Sequence, residues 1–220
     1  MAIKIQSSKD FHVNGIKCVV YGSSGVGKTV LCSTAPRPII ISAEQGLLSL
    51  SSLDIPYVEV NSIKDIGDAF DMLKGHADYD TICIDSLSEI AEVVLADFKK
   101  TVADGRQAYM KIAEALGALI KNFRDLKGKN VVFVAKAKRV EDEETGSNVY
   151  EPFMPGKVLP FQLPYLVDEV FYYEMDRKGE RKLCTKASRK FTAKDRSGKL
   201  DEFEAPDLNV IFNKIANKVN

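Results

Sequence analysis

The sequence predicts an α/β fold: a central parallel sheet with helices on both faces and an antiparallel hairpin extension. Three observations lead there. Short apolar runs alternate with stretches whose apolar residues recur at helical spacing, as in strands buried on both faces and joined by crossover helices. The first run ends in a glycine-rich turn that opens a helix. Beyond residue 135, pairs of strand-like runs flank turn residues, as hairpins do.

Residues 16–21 form the first buried strand, and the glycines after it end the run. A helix over 28–34 is halted by "APRP", and Pro38–Ser42 is a second buried strand. Residues 57–60 make a short third strand. Ser62 caps a helix carrying Ile63, Ile66, Phe70 and Leu73 on one face, with Gly75 as its stop. "TICID", Thr81–Asp85, is another buried strand. Helices over 87–100 and 109–126 follow, separated by "TVADGRQA", and then the strand "VVFVA" at 131–135. Val140 and Val149 flank "EDEETGSN", a hairpin with an acidic tip, which repulsion would point away from any polyanion. Glu169–Met175 and residues 181–185 flank "DRKG" as a second hairpin, and 208–218 reads as a terminal helix. No repeat and no linker divides the chain, so residues 1–220 are expected to form one domain.

With 220 residues, 45% of them apolar, the chain can bury a full core. No apolar run reaches the roughly 20 residues that cross a bilayer, and "MAIKIQSSKDFHVNG" lacks a signal peptide's apolar stretch. No membrane association and a cytoplasmic location are expected. Cys18, Cys32, Cys83 and Cys184 form no C-x-x-C pair and read as buried free thiols. Net charge is zero, yet residues 177–199 hold ten Lys or Arg against Glu180 and Asp195. Such a block implies a local surface facing a polyanion.

The chemistry centres on "YGSSGVGKT". Gly22-x-x-x-x-Gly27-Lys28-Thr29 matches the phosphate-binding P-loop, here spanning Gly22, Ser23, Ser24, Gly25, Val26, Gly27, Lys28 and Thr29. The glycines let successive N–H groups curl around phosphate oxygens, and the following helix offers its positive dipole end. Lys28 would reach the β- and γ-phosphates, and the Thr29 hydroxyl would ligate Mg²⁺. Asp85, closing "TICID", is the acidic partner that holds the metal's water shell, although an Asp there also suits a helix start. Glu44 follows the second strand at the sheet's carboxyl edge, as either a base for water or an exposed loop carboxylate.

These residues resemble the RecA-type P-loop ATPase core, and more closely a compact phage-encoded group of single-domain, RecA-like ATP-binding recombinases or single-strand annealing proteins. "YGSSGVGKT", "IIISAEQG", "TICIDS" and "TAKDRSG" carry the likeness, over roughly residues 15–198. The resemblance implies a RecA-like core, ATP and Mg²⁺ as cofactors, and Glu44 and Lys28 as catalytic residues. It implies ATP shared between protomers of a ring or filament, with basic residues of one reaching the γ-phosphate held by the other. Lys194 and Arg196 are the first candidates, then Lys186, Arg189 and Lys190. Single-stranded DNA would lie on two loops. The first, around 99–109, offers Lys99, Lys100, Arg106 and Tyr109. The second, 138–162, contains "EPFMPGKVLPFQLP", as either a mobile ligand loop or an ordered cover. A single-stranded-DNA-binding protein is a further implied partner, and the location becomes the host cytoplasm if the chain is phage-encoded. Lys136 occupies the slot where such proteins carry a polar γ-phosphate sensor, which makes it the sensor candidate and a departure from the family pattern.

The expected function is therefore a DNA-dependent ATPase that anneals or exchanges strands in phage recombination or replication. Two alternatives stay open. One is a P-loop phosphotransferase acting on a nucleotide or other small molecule, with the basic block as its lid. The other is a nucleotide-switched interaction module.

Overall fold

A computed structural model describes residues 14–44, 47–102, 104–141 and 146–216. The sequence's first two apolar runs become β1 (Lys17–Gly22) and β2 (Pro38–Ser42), joined through α1 (Lys28–Ser33). A 3₁₀ turn over Leu47–Leu50 leads to β3 (Tyr57–Glu59), α2 (Ile63–Leu73), β4 (Thr81–Asp85), α3 (Leu87–Thr101) and α4 (Gly105–Arg124). The rest comprises β5 (Asn130–Glu141), β6 (Asn148–Pro152), α5 (Val158–Leu166), β7 (Glu169–Met175), β8 (Arg181–Cys184), β9 (Lys194–Asp195), β10 (Phe203–Glu204) and α6 (Leu208–Ala216).

The strands form one sheet in the order β10-β8-β7-β1-β5-β4-β2-β3, with β6 beside β5 and β9 beside β7. From β7 to β3 every neighbouring pair is parallel. The predicted β7–β8 hairpin is antiparallel, but β7 itself runs parallel to β1, so the parallel sheet reaches one strand further than the sequence indicated. Side-chain alternation divides the core in two. Val19, Tyr21, Ile39, Ile41, Ile82, Ile84, Val131 and Phe133 pack under α2, α3, α4 and α5. Cys18, Val20, Ile40, Cys83, Val132 and Val134 pack under α1 and α6. Burial on both faces explains the unbroken apolar runs. All four cysteines are free and buried.

Ser62 caps α2 by accepting the Asp65 N–H, as expected. The helix ends at Leu73 with Lys74 as its cap, and Gly75 adopts no left-handed conformation there. Three departures bear on function. The segment 99–109 is not a loop, because Asp104 accepts the Arg106 N–H at 2.8 Å and starts α4 four residues before Tyr109. Its Gly105 and Asp104 looked like loop residues but serve the helix start.

In the second departure, "VLPFQLPYL" is helical despite two prolines. Pro160 lies in the first turn, where no N–H is needed. Near the other end, the Lys194 ammonium binds the carbonyls of Pro164 and Val167. With Met154, Leu159 and Leu163 buried, this stretch is an ordered cover over the core. Third, the segment after β8 lies on the sheet: Phe191 stacks on Tyr172 at 4.9 Å, and Tyr172 on Tyr150 at 5.6 Å. The Tyr21 hydroxyl donates to the Tyr150 and Thr192 carbonyls at 3.0 and 2.5 Å, which fixes that layer. The acidic tip, apart from Glu141, and the start of the chain lie outside the described residues.

Glu169 begins β7 from a buried position and accepts the N–H groups of Arg196 and Ser197, both at 3.2 Å. Burial first, and then the neighbouring Asp195 carboxylate, raise its pKa from 4.5 to about 7. The fold therefore favours the neutral acid, whose stabilising share is complete below the unfolded value and lost as pH climbs through the folded one. Glu169→Gln, uncharged at every pH, should gain on the parent by on the order of 3 kcal/mol between about pH 4.5 and 7.5. Urea unfolding across that range measures it, and a difference that stays flat with pH would refute the shift.

Candidate functional site

The parallel register brings the ends of β1, β2 and β4 and the middle of β5 to one edge. Gly22 pairs with Lys136 across β1 and β5, and Ser42 with Asp85 across β2 and β4. A cleft of about 920 Å³ opens there, within the size range of small-molecule sites. Its lining includes Lys28, Thr29, Glu44, Asp85 and Lys136 of the residues singled out from sequence.

The loop's glycines have separate reasons. A Cβ on Gly22 would collide with the Tyr173 carbonyl, so this glycine lets β1 end tightly against β7. Gly25 and Gly27 hold φ of 76° and 102°, left-handed values that curl the loop between strand and helix. Val26 faces away from the cleft: it is buried in the core beneath α1, its Cγ1 3.2 Å from where that Gly22 Cβ would sit. The Lys28 ammonium donates to the Gly22 and Ser23 carbonyls at 3.0 and 2.8 Å, folding its stem back over the loop.

Electrostatics couple the site. Burial raises the Asp85 pKa, opposed by the hydrogen bond from Thr29; Glu44 raises it further and Lys28 counters. Burial lowers the Lys28 pKa, and the Asp85 and Glu44 carboxylates oppose that shift. The Thr29 hydroxyl and a buried carboxylate in hydrogen-bond contact form an oxygen donor set of the kind that suits a hard divalent cation. Glu44 is held at Oε1 by the Ser86 hydroxyl, 3.0 Å away, while its backbone carbonyl accepts from Ser42 at 2.9 Å. The last two residues of "SAEQG", Gln45 and Gly46, lie outside the described residues.

Lys136 lines the cleft, but its ammonium is gripped by Glu89 at 2.6 Å and Glu92 at 2.5 Å. Burial opposes its charged form; the two carboxylates outweigh that and raise its pKa. The remaining candidates lie elsewhere. Lys194 and Arg196 stand at the opposite end of β7 from the P-loop, since Lys194 pairs with Val170 whereas Tyr173 pairs with Gly22. Lys194 serves the end of α5, and Arg196 binds Asp168 at 3.1 Å. Both contact their own chain there, away from its own P-loop cleft. Lys186, Arg189 and Lys190 are exposed and outside the cleft. Lys99 lies over the Tyr109 ring at 5.3 Å, Lys100 pairs with Asp97 at 3.0 Å, and Arg106 sits in the first turn of α4.

Sequence reasoning missed Ser86 and Arg181. Ser86 stood only as the last residue of "TICIDS"; in the structure it accepts the Glu89 N–H at 3.2 Å as the cap of α3. Arg181 was one of ten cations in a block, and only the hairpin pairing brings it to the cleft.

The profile of a family described as AAA domain matches residues 14–197. No curated protein matches the chain. Among solved structures, a KaiC-like protein from the hyperthermophilic archaeon Pyrococcus horikoshii is 14% identical, with a TM-score of 0.49 over 81% of this chain and 82% of that one. The RadB recombinase is 12% identical, with a TM-score of 0.46 over 78% and 80%.

The two glycine environments give a direct test. Gly22→Ala should destabilise by roughly 2 kcal/mol or more, in the overpacking range. Gly25→Ala meets no atom within 4 Å and should cost only about 1–2 kcal/mol of left-handed strain. Urea unfolding of both variants decides; Gly22→Ala as mild as Gly25→Ala would contradict the close approach.

Proposed function

The chain belongs to the AAA domain family, and from that membership we propose that it binds ATP in the P-loop cleft and hydrolyses it, with Glu44 as the base. One observation carries this reading: Lys28, Thr29, Asp85 and Glu44, from three separate strand ends, converge on a single cleft. Thr29 and Asp85 would hold Mg²⁺, whose charge, when bound, offsets that of the phosphate oxygens. Lys28 neutralises the terminal phosphates. Glu44, fixed through Ser86, accepts a proton from water as its oxygen bonds to the γ-phosphorus and the bond to the β-phosphate oxygen breaks. ADP and orthophosphate leave.

The finer reading is a DNA-dependent ATPase that anneals or exchanges single strands, in the cytoplasm and in phage recombination or replication, with ATP shared between protomers. What supports it is a set of exposed cations and exposed aromatic rings. Lys138, Arg139, Lys186, Arg189 and Lys190 are exposed and make no ion pair among the described residues. Tyr109 lies beside Gly156, so the two segments expected to hold DNA adjoin, and Phe161 and Tyr165 of α5 are about 70% exposed. Cations can track phosphates there while the rings stack on bases. Lys186, Arg189 and Lys190 also remain free to reach a neighbouring protomer.

Glu44→Gln should lower turnover by about 10²–10⁴-fold and leave ATP affinity within a factor of about three. Full turnover by that variant would remove Glu44 from the mechanism, and lost turnover in a chain that still binds ATP separates an ATPase from a nucleotide-switched module. Single-stranded DNA should stimulate the wild-type ATPase, with affinity falling on a log–log salt slope of about −0.7 per phosphate contact. Salt-indifferent binding would exclude the DNA reading, and stimulation by a nucleoside monophosphate instead would mark a phosphotransferase.

A further inference from the structure

We propose that Arg181 is a phosphate ligand of the chain's own nucleotide, acting in cis across the mouth of the P-loop. The inference rests on the loop being a nucleotide cradle and adds a ligand that the P-loop pattern does not contain. Arg181 opens β8 opposite Met175 of β7, so the hairpin carries it to the sheet's carboxyl edge. Its Nε and Cδ lie 3.7 and 3.9 Å from the position a Cβ on Gly27 would take, and the Tyr173 hydroxyl lies 3.6 Å from the same point. The guanidinium stem is thus laid over the last glycine of the loop, one residue before Lys28.

Three cations line the cleft, and their donors are differently occupied. Lys28 bonds two carbonyls of its own loop, and Lys136 bonds two carboxylates of α3. Arg181 makes no hydrogen bond or ion pair among the described residues. Its neighbour Lys182, by contrast, pairs with Glu174 at 3.3 Å and lies 3.9 Å over the Phe203 ring. A guanidinium stays charged throughout the working pH range and presents a planar fork of donors that matches two phosphoryl oxygens. Its seat on its own chain's Gly27 assigns it to its own site, unlike the trans-acting role that the resemblance implies for other cations of the block. The β7–β8 hairpin becomes part of the nucleotide site.

The test is titration of a fluorescent ATP analogue, with Mg²⁺, into the wild type, Arg181→Ala and Arg181→Lys, alongside turnover. Arg181→Ala should weaken binding by about 10–100-fold, the scale of lost hydrogen bonds to a charged group. Arg181→Lys should recover part of it, and thermal midpoints without nucleotide should stay within a few degrees of the wild type. If Arg181→Ala unfolds, the lysine variant carries the comparison, because it keeps the charge and removes the fork. Affinity equal to wild type in a folded variant overturns the proposal and leaves the ATPase reading intact. A wild type that binds no nucleotide brings down the cradle itself. Mixing Arg181→Ala with Glu44→Gln subunits decides the cis assignment: no regained turnover agrees with it, and recovery would show action on a neighbour.

Discussion

The whole cleft depends on the register of parallel strands buried on both faces. A slip of one residue in β2 or β4 would exchange Ile41 with Ile40, or Ile84 with Cys83, between the two core halves, and both packed layers would have to refit around side chains of different shape or size. That penalty fixes Ser42 against Asp85 and Gly22 against Lys136. The functional side chains sit at or just beyond those positions, so packing far from the cleft determines their spacing. Gly22 adds a second lock, because its missing side chain lets the end of β1 press against the Tyr173 carbonyl.

Within that frame the site is assembled from opposed charges. Asp85 and Lys28 are each destabilised as ions by burial and sustained by one another, while Glu44 works against the Asp85 carboxylate and in favour of the Lys28 ammonium. Such a site favours a ligand that brings both signs, as a metal–triphosphate pair does. Ser86 ties two parts of it together, capping α3 through the Glu89 N–H and holding the Glu44 carboxylate. Glu89 in turn grips Lys136. Consecutive hydrogen bonds thus join Glu44 to the start of α3, and α3 to Lys136 of β5.

The parallel strands and the P-loop were legible because each rests on a local rule: apolar runs for two-sided burial, glycines before Lys-Thr for a phosphate loop. β2 and β4 have the boundaries read from sequence. What escaped was set by distant partners. The helix in "VLPFQLPYL" has carbonyls near its end bound by Lys194, 28 residues downstream of Leu166, and no local pattern announces that. The segment 99–109 looked like a loop because Asp104 and Gly105 read as turn residues until the α4 cap explains them. β7 runs parallel to β1 because α5 returns the chain to the sheet's amino edge, a path hidden as long as α5 is not recognised as a helix.

The basic block shows the same division within one run of sequence. From composition alone its ten cations are equivalent, and a polyanion-facing surface is the economical account. The fold separates them by what their donors already touch. Lys194 and Lys199 bond backbone carbonyls near the ends of α5 and α6, Arg196 holds Asp168, and Lys182 sits between Glu174 and Phe203. Those four are occupied in keeping the last third of the chain on the sheet. Lys186, Arg189 and Lys190 face solvent beside β6, where Tyr150 donates its N–H to the Lys190 carbonyl at 2.7 Å. Arg181 alone of the ten lines the P-loop cleft. A charge run is thus a poor guide to a binding surface until its members are sorted by donor occupancy. Sorted that way, the block contributes scaffold, outer surface and cleft lining from adjacent residues.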